Sequence, residues 1–294
     1  MPPLVSIVIP SFNSGRFLSD AVRSAFVQTY PDIECLVVDD GSTDDTTAVL
    51  VKLKERYPRL KILRKTNGGP SSARNLGLKS CSGGMVSFLD ADDVLLPDKI
   101  ERQVHFLQEH PGVGLVYGDY LLAREDLHPI ALFSAEMPRG LAPLEALCYR
   151  NWFNPVVTLV RREVVEQVGQ FDEDIAVGED WDYWIRCAKV ARLAYLPGPV
   201  ALYRQHPQQI HRDHVRMREC CIQVANKNFH SSRSLRAAMA SINVTDAKYL
   251  WRQRRVIASA AALLKYAIGA GLGLHAGYVS QQIEATFHSQ LRSL

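Results

Sequence analysis

Residues 85–93, MVSFLDADD, end an apolar run in three carboxylates, Asp90, Asp92 and Asp93. Like charges gathered at a strand end repel one another and lose hydration, so the cluster asks for a neutralising partner. A hard divalent cation with oxygen ligands is the usual one. A solvated turn that caps the following helix is the plainer alternative. A second acidic pair, Asp39 and Asp40, closes IECLVVDDGS, where a carboxylate can accept from a base N–H or a ribose hydroxyl, or again serve a turn. Asp44 and Asp45 just beyond suit the positive end of a helix. Between the two acidic sites, NGGPSSARNLG joins a glycine turn to Arg74, whose guanidinium can reach a phosphate. Later, GEDWDYWIR sets Glu179, Asp180 and Asp182 among Trp181 and Trp184. No G-x-G-x-x-G follows the first apolar run and no P-loop lysine pattern occurs, which argues against a dinucleotide fold and a phosphate-cradling NTPase.

These side chains need a frame. LVSIVIP reads as a buried strand, residues 15–28 as a helix with Phe17, Leu18, Ala21, Val22, Ala25 and Phe26 on one face, and IECLVVDDGS as a second strand. Ser42 or Thr43 can cap the next helix, which runs to about Tyr57. LKILR, GGPSSARNLGLKSCSG, MVSFLDADD and LPDKIERQVHFLQEH continue the alternation of strand and helix. Near-continuous apolar strands in this rhythm predict an α/β fold with a mostly parallel central sheet covered on both faces, and such sheets bind ligands at the carboxyl ends of their strands. The polar clusters SFN, DDGSTDD and DADD all fall there. Beyond His110 the pattern loosens into shorter elements, with LAYLPGPVALYRQHPQQ as one or two short strands around a turn, and from about Arg212 it is helical. The expected organisation is therefore a domain over 1–210, divided into halves 1–110 and 111–210, followed by a helical extension over 211–294.

The 294 residues are 47% hydrophobic and 22% charged, a globular composition. The net charge of +3 is unevenly spread: residues 201–260 hold 11 Lys and Arg against 3 Asp and Glu, leaving about −5 elsewhere. The charge alone, without a stacking-aromatic motif, does not predict nucleic-acid binding. Six cysteines lack metal-ligand spacing and the opening residues lack a leader pattern, so a reducing, cytoplasmic setting is expected, with most thiols buried as small apolar groups. The Ala- and Gly-rich segment 256–279, interrupted by Lys265 and His275, is expected to pack as a helix or hairpin rather than span a bilayer.

In this order and at these intervals, VSIVIPSFN, VVDDGSTDDT, NGGPSSARNLGL, FLDADD and GEDWDYWIR resemble family 2 of the inverting glycosyltransferases, which have the GT-A fold. The resemblance covers roughly residues 4–210. It implies that Asp39 and Asp40 hold the nucleotide base, usually uracil, without saying which one makes the contact. It implies further that Pro10, Phe12 and Asn13 line the nucleotide pocket and that Arg74 and Asn75 close it. Asp90 faces the ribose and, with Ala91 between them, Asp92 takes Mg²⁺ or Mn²⁺. Asp93 adds an acid to the minimal D-x-D, so the metal ligand is shared or shifted. Asp180 is the general base, with Glu179 beside it and Asp182 further along the helix. Trp181 and Trp184 are either a wall against the acceptor sugar or ordinary core. His206, in a Tyr-Arg-x-His element, closes over the diphosphate or approaches the metal.

The implied activity is transfer of a single sugar from a nucleotide sugar, most often a UDP-sugar, to a saccharide or lipid-linked acceptor. A sugar-nucleotide pyrophosphorylase would want a basic glycine loop after the first strand, where PSFNSGRF offers only Arg16. A non-catalytic nucleotide-sugar-binding module would not be expected to retain both the metal acids and the base. The basic C-terminal stretch suits a peripheral contact with anionic lipid at the cytoplasmic face of a membrane. An exposed helical tail also offers an oligomer contact.

Overall fold

The computed structural model describes residues 2–207, 209 and 213–252. Its first half follows directly from the apolar runs. Strand β1 (Val5–Ser11) is buried along its whole length and lies parallel to β2 (Ile33–Asp39) and β4 (Met85–Phe88), while β3 (Lys61–Arg64) adds in parallel to β2. The register puts Ser11 opposite Asp39, so that both polar termini emerge at one edge. Helices α1 (Gly15–Phe26), α2 (Thr46–Arg56) and α3 (Gly69–Ser80) connect these strands. Gly77 lets α3 lie directly on β1, because a Cβ there would meet Val8 Cγ1 at 2.3 Å. The start of α2 departs from expectation. Asp45 precedes the helix, and the Ser42 hydroxyl instead accepts the Asn13 amide at 2.9 Å.

After the short β5 (Val94–Leu95) and α4 (Lys99–Glu109), the sheet becomes mixed. Strand β6 (Val113–Ala123) pairs antiparallel with β7 (Pro129–Phe133) and with β8 (Thr158–Arg161), and β8 joins β4 antiparallel, fusing the two halves. The final strand β9 (Arg192–Arg204) runs parallel to β6, and β5 pairs with it in the opposite sense. The spatial order is β3-β2-β1-β4-β8-β6-β9-β5, with β7 on β6. Parallel pairing thus governs β1 to β4, while the remainder mixes antiparallel pairs with the long parallel β6–β9 pair. The stretch 192–204 is one strand with an irregularity rather than two strands around a turn. There Gly198 adopts φ +99°, and its amide and the Tyr195 hydroxyl both donate to the buried Asp119 carboxylate.

Helix α5 (Pro143–Leu147), a 3-10 turn at Pro155–Val157, α6 (Arg162–Val168) and α7 (Glu179–Val190) cover the second half. Their shared core is aromatic: Phe171 stacks on Tyr183 at 3.9 Å, and Trp184 packs among Phe88, Phe153 and Tyr183. Helices α8 (His214–Asn228) and α9 (Ser232–Arg252) do not stand apart. Val224, Ala225, Phe229, Ala237, Ala238 and Ile242 belong to the same hydrophobic core as the sheet. The fully buried Asp182 of α7 ties α8 to it, accepting from Asn228 at 2.7 Å and pairing with Lys227 at 2.9 Å and Arg186 at 2.8 Å. Among the described residues no helix is long and apolar enough to cross a membrane; the apolar segment 256–279 lies outside those residues.

Candidate active site

The ends of β1, β2 and β4 lie side by side at one edge of the sheet, and the acids there have separate partners. Asp40 is spent on the glycine turn: its carboxylate takes the backbone amides of Gly68 and Gly69, at 3.1 and 2.7 Å, with Lys65 Nζ at 2.8 Å and Asn67 Nδ2 at 3.2 Å. Asp39 is equally buried but less occupied. Its Oδ1 accepts from the Ser42 amide, while Oδ2 accepts no hydrogen bond among the described residues and has Arg64 Nε at 3.4 Å. Of the two, Asp39 has an oxygen left for a ligand. Asn13, at φ +48°, staples its own loop to the next by accepting from the Thr43 amide at 2.8 Å. Pro10 lies inside β1, and Phe12 stands 48% exposed at the strand end.

Arg74, on the first turns of α3, is buried yet donates to two acids far apart in sequence: Nη1 to Glu179 Oε1 at 2.6 Å and Nη2 to Asp90 Oδ1 at 2.7 Å. Phe171 lies against its guanidinium, 5.5 Å from the ring centroid. Burial works against this charge, but the two carboxylates outweigh it and hold the guanidinium pKa above its ordinary value. Arg74 is therefore a tie between acids, with Nε accepted by nothing in the described residues. Asn75 is a clamp of another kind. Its amide exchanges both hydrogen bonds with the Phe171 backbone and donates to Glu173 at 2.8 Å, so it is turned toward the loop before α7.

The acids of β4 also divide. Asp90 and Asp92 keep about a quarter of their side chains exposed, at 26% and 27%, with the nearly buried Ala91 between them. Asp93 turns inward and accepts the Arg204 amide at 2.9 Å. Burial and the neighbouring Asp92 and Asp90 charges push its carboxyl well above the usual range, and its Oδ2 is buried with no hydrogen-bond partner among the described residues. Burial similarly raises Asp90, against the pull of Arg74. His206 Nε2 lies 2.8 Å from Asp92 Oδ2, with its ring on Phe17. Arg204 fixes the approach of β9 by donating Nε to the Asp92 carbonyl at 2.7 Å and Nη2 to Asp20 at 2.9 Å.

Among the described residues no group of three or more His, Cys, Asp or Glu side chains forms a metal cage. Cations held against diphosphates commonly take one or two protein ligands and fill the remaining positions with phosphate oxygens and water. A partly exposed carboxylate touching an imidazole, Asp92 with His206, fits that chemistry.

Asp180 opens α7. Its Oδ2 accepts Asn151 Nδ2 at 2.7 Å and its Oδ1 accepts the Trp181 amide at 2.8 Å. Burial first, and the Glu179 charge second, push its carboxyl up to about 7, against Arg74 and the two hydrogen bonds. A half-buried carboxyl tuned to neutrality is what a general base needs. The tryptophans do not face it. Trp181 is buried with its indole N–H on the Leu147 carbonyl, and Trp184 is wholly buried, so both are core.

Sequence reasoning passed over Ser11, Ser71, Asn151 and Arg204. The hydroxyls of Ser11 and Ser71 and the Asn151 Oδ1 are buried without a hydrogen-bond partner among the described residues, as polar atoms waiting for a ligand or water are. Ser11 and Ser71 lay inside quoted motifs and could have been picked out. Asn151 carries no local signal, since only folding brings it to Asp180.

A sequence model described as Glycosyl transferase family 2 matches residues 6–168. An uncharacterized glycosyltransferase of Rickettsia prowazekii is 30% identical over 197 residues, 66% of this chain and 61% of that protein. The match spans only 35% of a Rickettsia felis glycosyltransferase that is 31% identical. The putative teichuronic acid biosynthesis glycosyltransferase TuaG of Bacillus subtilis is 32% identical over 66% of this chain and 75% of its own. Among solved structures, Staphylococcus aureus TarS 1–349 in complex with UDP-GlcNAc superposes with a TM-score of 0.66 at 18% identity, over 90% of this chain and 92% of that one. The mannosyltransferase PcManGT of Pyrobaculum calidifontis, in complex with GDP-Man and Mn²⁺, gives 0.67 at 21% identity, over 100% and 83%. At those identities the likeness is one of fold.

Proposed function

The chain belongs to glycosyl transferase family 2, and on that premise we propose that it transfers a single sugar from a nucleotide sugar to a saccharide or lipid-linked acceptor, with inversion. The observation that carries this reading is the Arg74 bridge. One buried guanidinium holds Asp90, at the end of β4, and Glu179, the immediate neighbour of Asp180, so the donor-side acids and the base share a rigid frame.

In the mechanism we infer, Asp39 Oδ2 and the Ser11 hydroxyl receive the base, and Asp90 faces the ribose. Asp92 and His206 would hold Mg²⁺ or Mn²⁺. When bound, such a cation neutralises the charge developing on the departing diphosphate, so that no protein acid is needed on that side. Asp180 accepts the proton of the acceptor hydroxyl from the opposite face as it attacks the anomeric carbon, one displacement that inverts the centre. A UDP-sugar is the adopted donor: TarS was crystallised with UDP-GlcNAc and PcManGT with GDP-Man, so both nucleotides belong in the test. A pyrophosphorylase is disfavoured because Arg16, in the first turn of α1, is the one cation that follows β1 closely, and the Gly-rich basic loop such an enzyme would want is missing from PSFNSGRF.

The test is thermal stability with UDP, GDP, CDP and TDP, each with and without Mn²⁺, for the wild type and Asp92→Ala. A ligand that binds only the folded state stabilises by about 2.7 kcal/mol at a hundredfold excess over Kd. One nucleotide acting only with metal, and losing its effect in Asp92→Ala, supports the reading. No response under any condition removes it. The membrane placement rests on the excess of Lys and Arg after residue 200, and flotation with anionic liposomes that shows no salt-sensitive binding would discard it.

A further inference from the structure

Asn151 is held in a rigid segment between α5 and the 3-10 turn. Its neighbours Trp152 and Phe153 are buried, and Trp152 donates its indole N–H to the Ala146 carbonyl at 2.8 Å. From that position its amide nitrogen reaches Asp180 Oδ2 at 2.7 Å. The ionised carboxylate, the form a base needs, only accepts, so opposite it the amide turns its NH₂ toward Asp180 and its oxygen away. That oxygen is buried and has no hydrogen-bond partner among the described residues, and neither has the Asn154 oxygen three residues on. Leaving a buried acceptor unmet is unfavourable, which is a reason to look for a ligand that completes it.

We propose that Asn151 is a positioning residue for the base: its nitrogen fixes the Asp180 carboxylate, and its oxygen accepts from a second hydroxyl of a polyol acceptor. The idea rests on the assignment of Asp180 as the base. Each Asp180 oxygen accepts one hydrogen bond and keeps a lone-pair site for the attacking hydroxyl. A vicinal hydroxyl on the same sugar then falls to the amide oxygen beside it, so acceptors with adjacent hydroxyls are favoured over simple alcohols.

The charged and titratable groups around Asp180 are Glu179 on its own helix, Arg74 from α3 and the Cys221 thiol from α8. Asn151 is the neutral partner, so its removal changes a hydrogen bond and no charge. The first test is the titration of the Asp180 carboxyl carbon in protein labelled with ¹³C at its aspartate carboxyls, assigned through Asp180→Asn. In Asn151→Ala the midpoint is expected to move to higher pH, with partial recovery in Asn151→Ser, whose hydroxyl can still donate. An unmoved midpoint in a variant that melts like the wild type overturns the positioning role. Should Asn151→Ala fail to fold, Asn151→Ser carries the comparison, with a smaller shift expected and none overturning the role.

The second test follows nucleotide release from UDP-N-acetylglucosamine and GDP-mannose with cyclohexanol or trans-1,2-cyclohexanediol as minimal acceptors. The wild type is expected to favour the diol and Asn151→Ala to lose that preference. Equal rates in the wild type, or a preference that survives the substitution, refute the role of the oxygen. If the wild type releases nucleotide from neither donor, the proposed donors are wrong, while the titration still decides whether Asn151 positions Asp180.

Discussion

Arg74 Nη1 and Glu179 Oε1 stand 2.6 Å apart across 105 residues of sequence, and both side chains are nearly inaccessible to water. Removing one partner of a buried ion pair leaves the other unpaired in a poorly hydrating place, a loss of about 3–5 kcal/mol. Arg74→Ala strands two acids at once and is expected to reach at least the lower figure in urea unfolding. Arg74→Lys is expected to recover only part, because a single ammonium lacks the planar fork that meets both Asp90 and Glu179. A loss below about 1 kcal/mol in Arg74→Ala would mean the tie is weak.

Asp39 and Asp40 are expected to separate under mutation. Asp40→Asn loses charge-assisted bonds to the Gly68 and Gly69 amides and to Lys65, and should cost about 2 kcal/mol of stability. Asp39→Asn should melt close to the wild type and weaken nucleotide binding about tenfold or more. Isothermal titration with UDP beside thermal melts distinguishes them, and the reverse pattern would exchange their roles.

The pH dependence of turnover follows from Asp180. Its carboxyl, pushed up to about 7, must be deprotonated to act as base, so kcat/KM, which reports the free enzyme, should rise with pH and level off above that value. Asp180→Asn should abolish the limb together with the activity. For stability the sign is opposite: between the usual carboxylate range and about 7 the folded state holds a proton the unfolded chain has released, so this group makes the protein less stable as pH rises through that window.

Lys99 offers a pH effect away from the candidate site. It is wholly buried, donates to the Ser87 hydroxyl at 2.7 Å and the Thr158 carbonyl at 3.0 Å, and burial brings its pKa down to about 7. Above that value the folded state binds fewer protons than the unfolded chain up to the ordinary lysine range, so its contribution to stability improves as pH rises. Lys99→Met should therefore stabilise most at pH 6 and least at pH 9 in matched urea titrations. A gain independent of pH would mean that the ammonium stays charged.

Much of this was legible before folding because the motifs were local. The apolar strands with polar ends announced that the polar clusters after β1, β2 and β4 would gather at one edge of the sheet. Residue roles were less legible. Adjacent acids in a sequence look alike, yet Asp40 meets a turn 28 residues later and Asp39 does not, and only chain closure decides it. Trp181 and Trp184 follow Asp180 so closely that a sugar-binding wall was a fair expectation, but the helical turn carries both into the core. Asn75 and Arg74 read as one unit, and consecutive positions on α3 point them to different partners.

Asp182 carries a consequence for how such enzymes exchange parts. It is sealed in the core, with its charge met by Arg186 of its own helix and by Lys227 and Asn228 of α8. A hybrid that kept residues up to 207 and borrowed another protein's helices would keep Arg186 on Asp182 Oδ2 but leave the buried Oδ1 unmet unless the donor brought a cation and an amide to those two positions. Recombination at that seam is thus restricted by one hidden charge, whatever acceptor the new helices were meant to recognise.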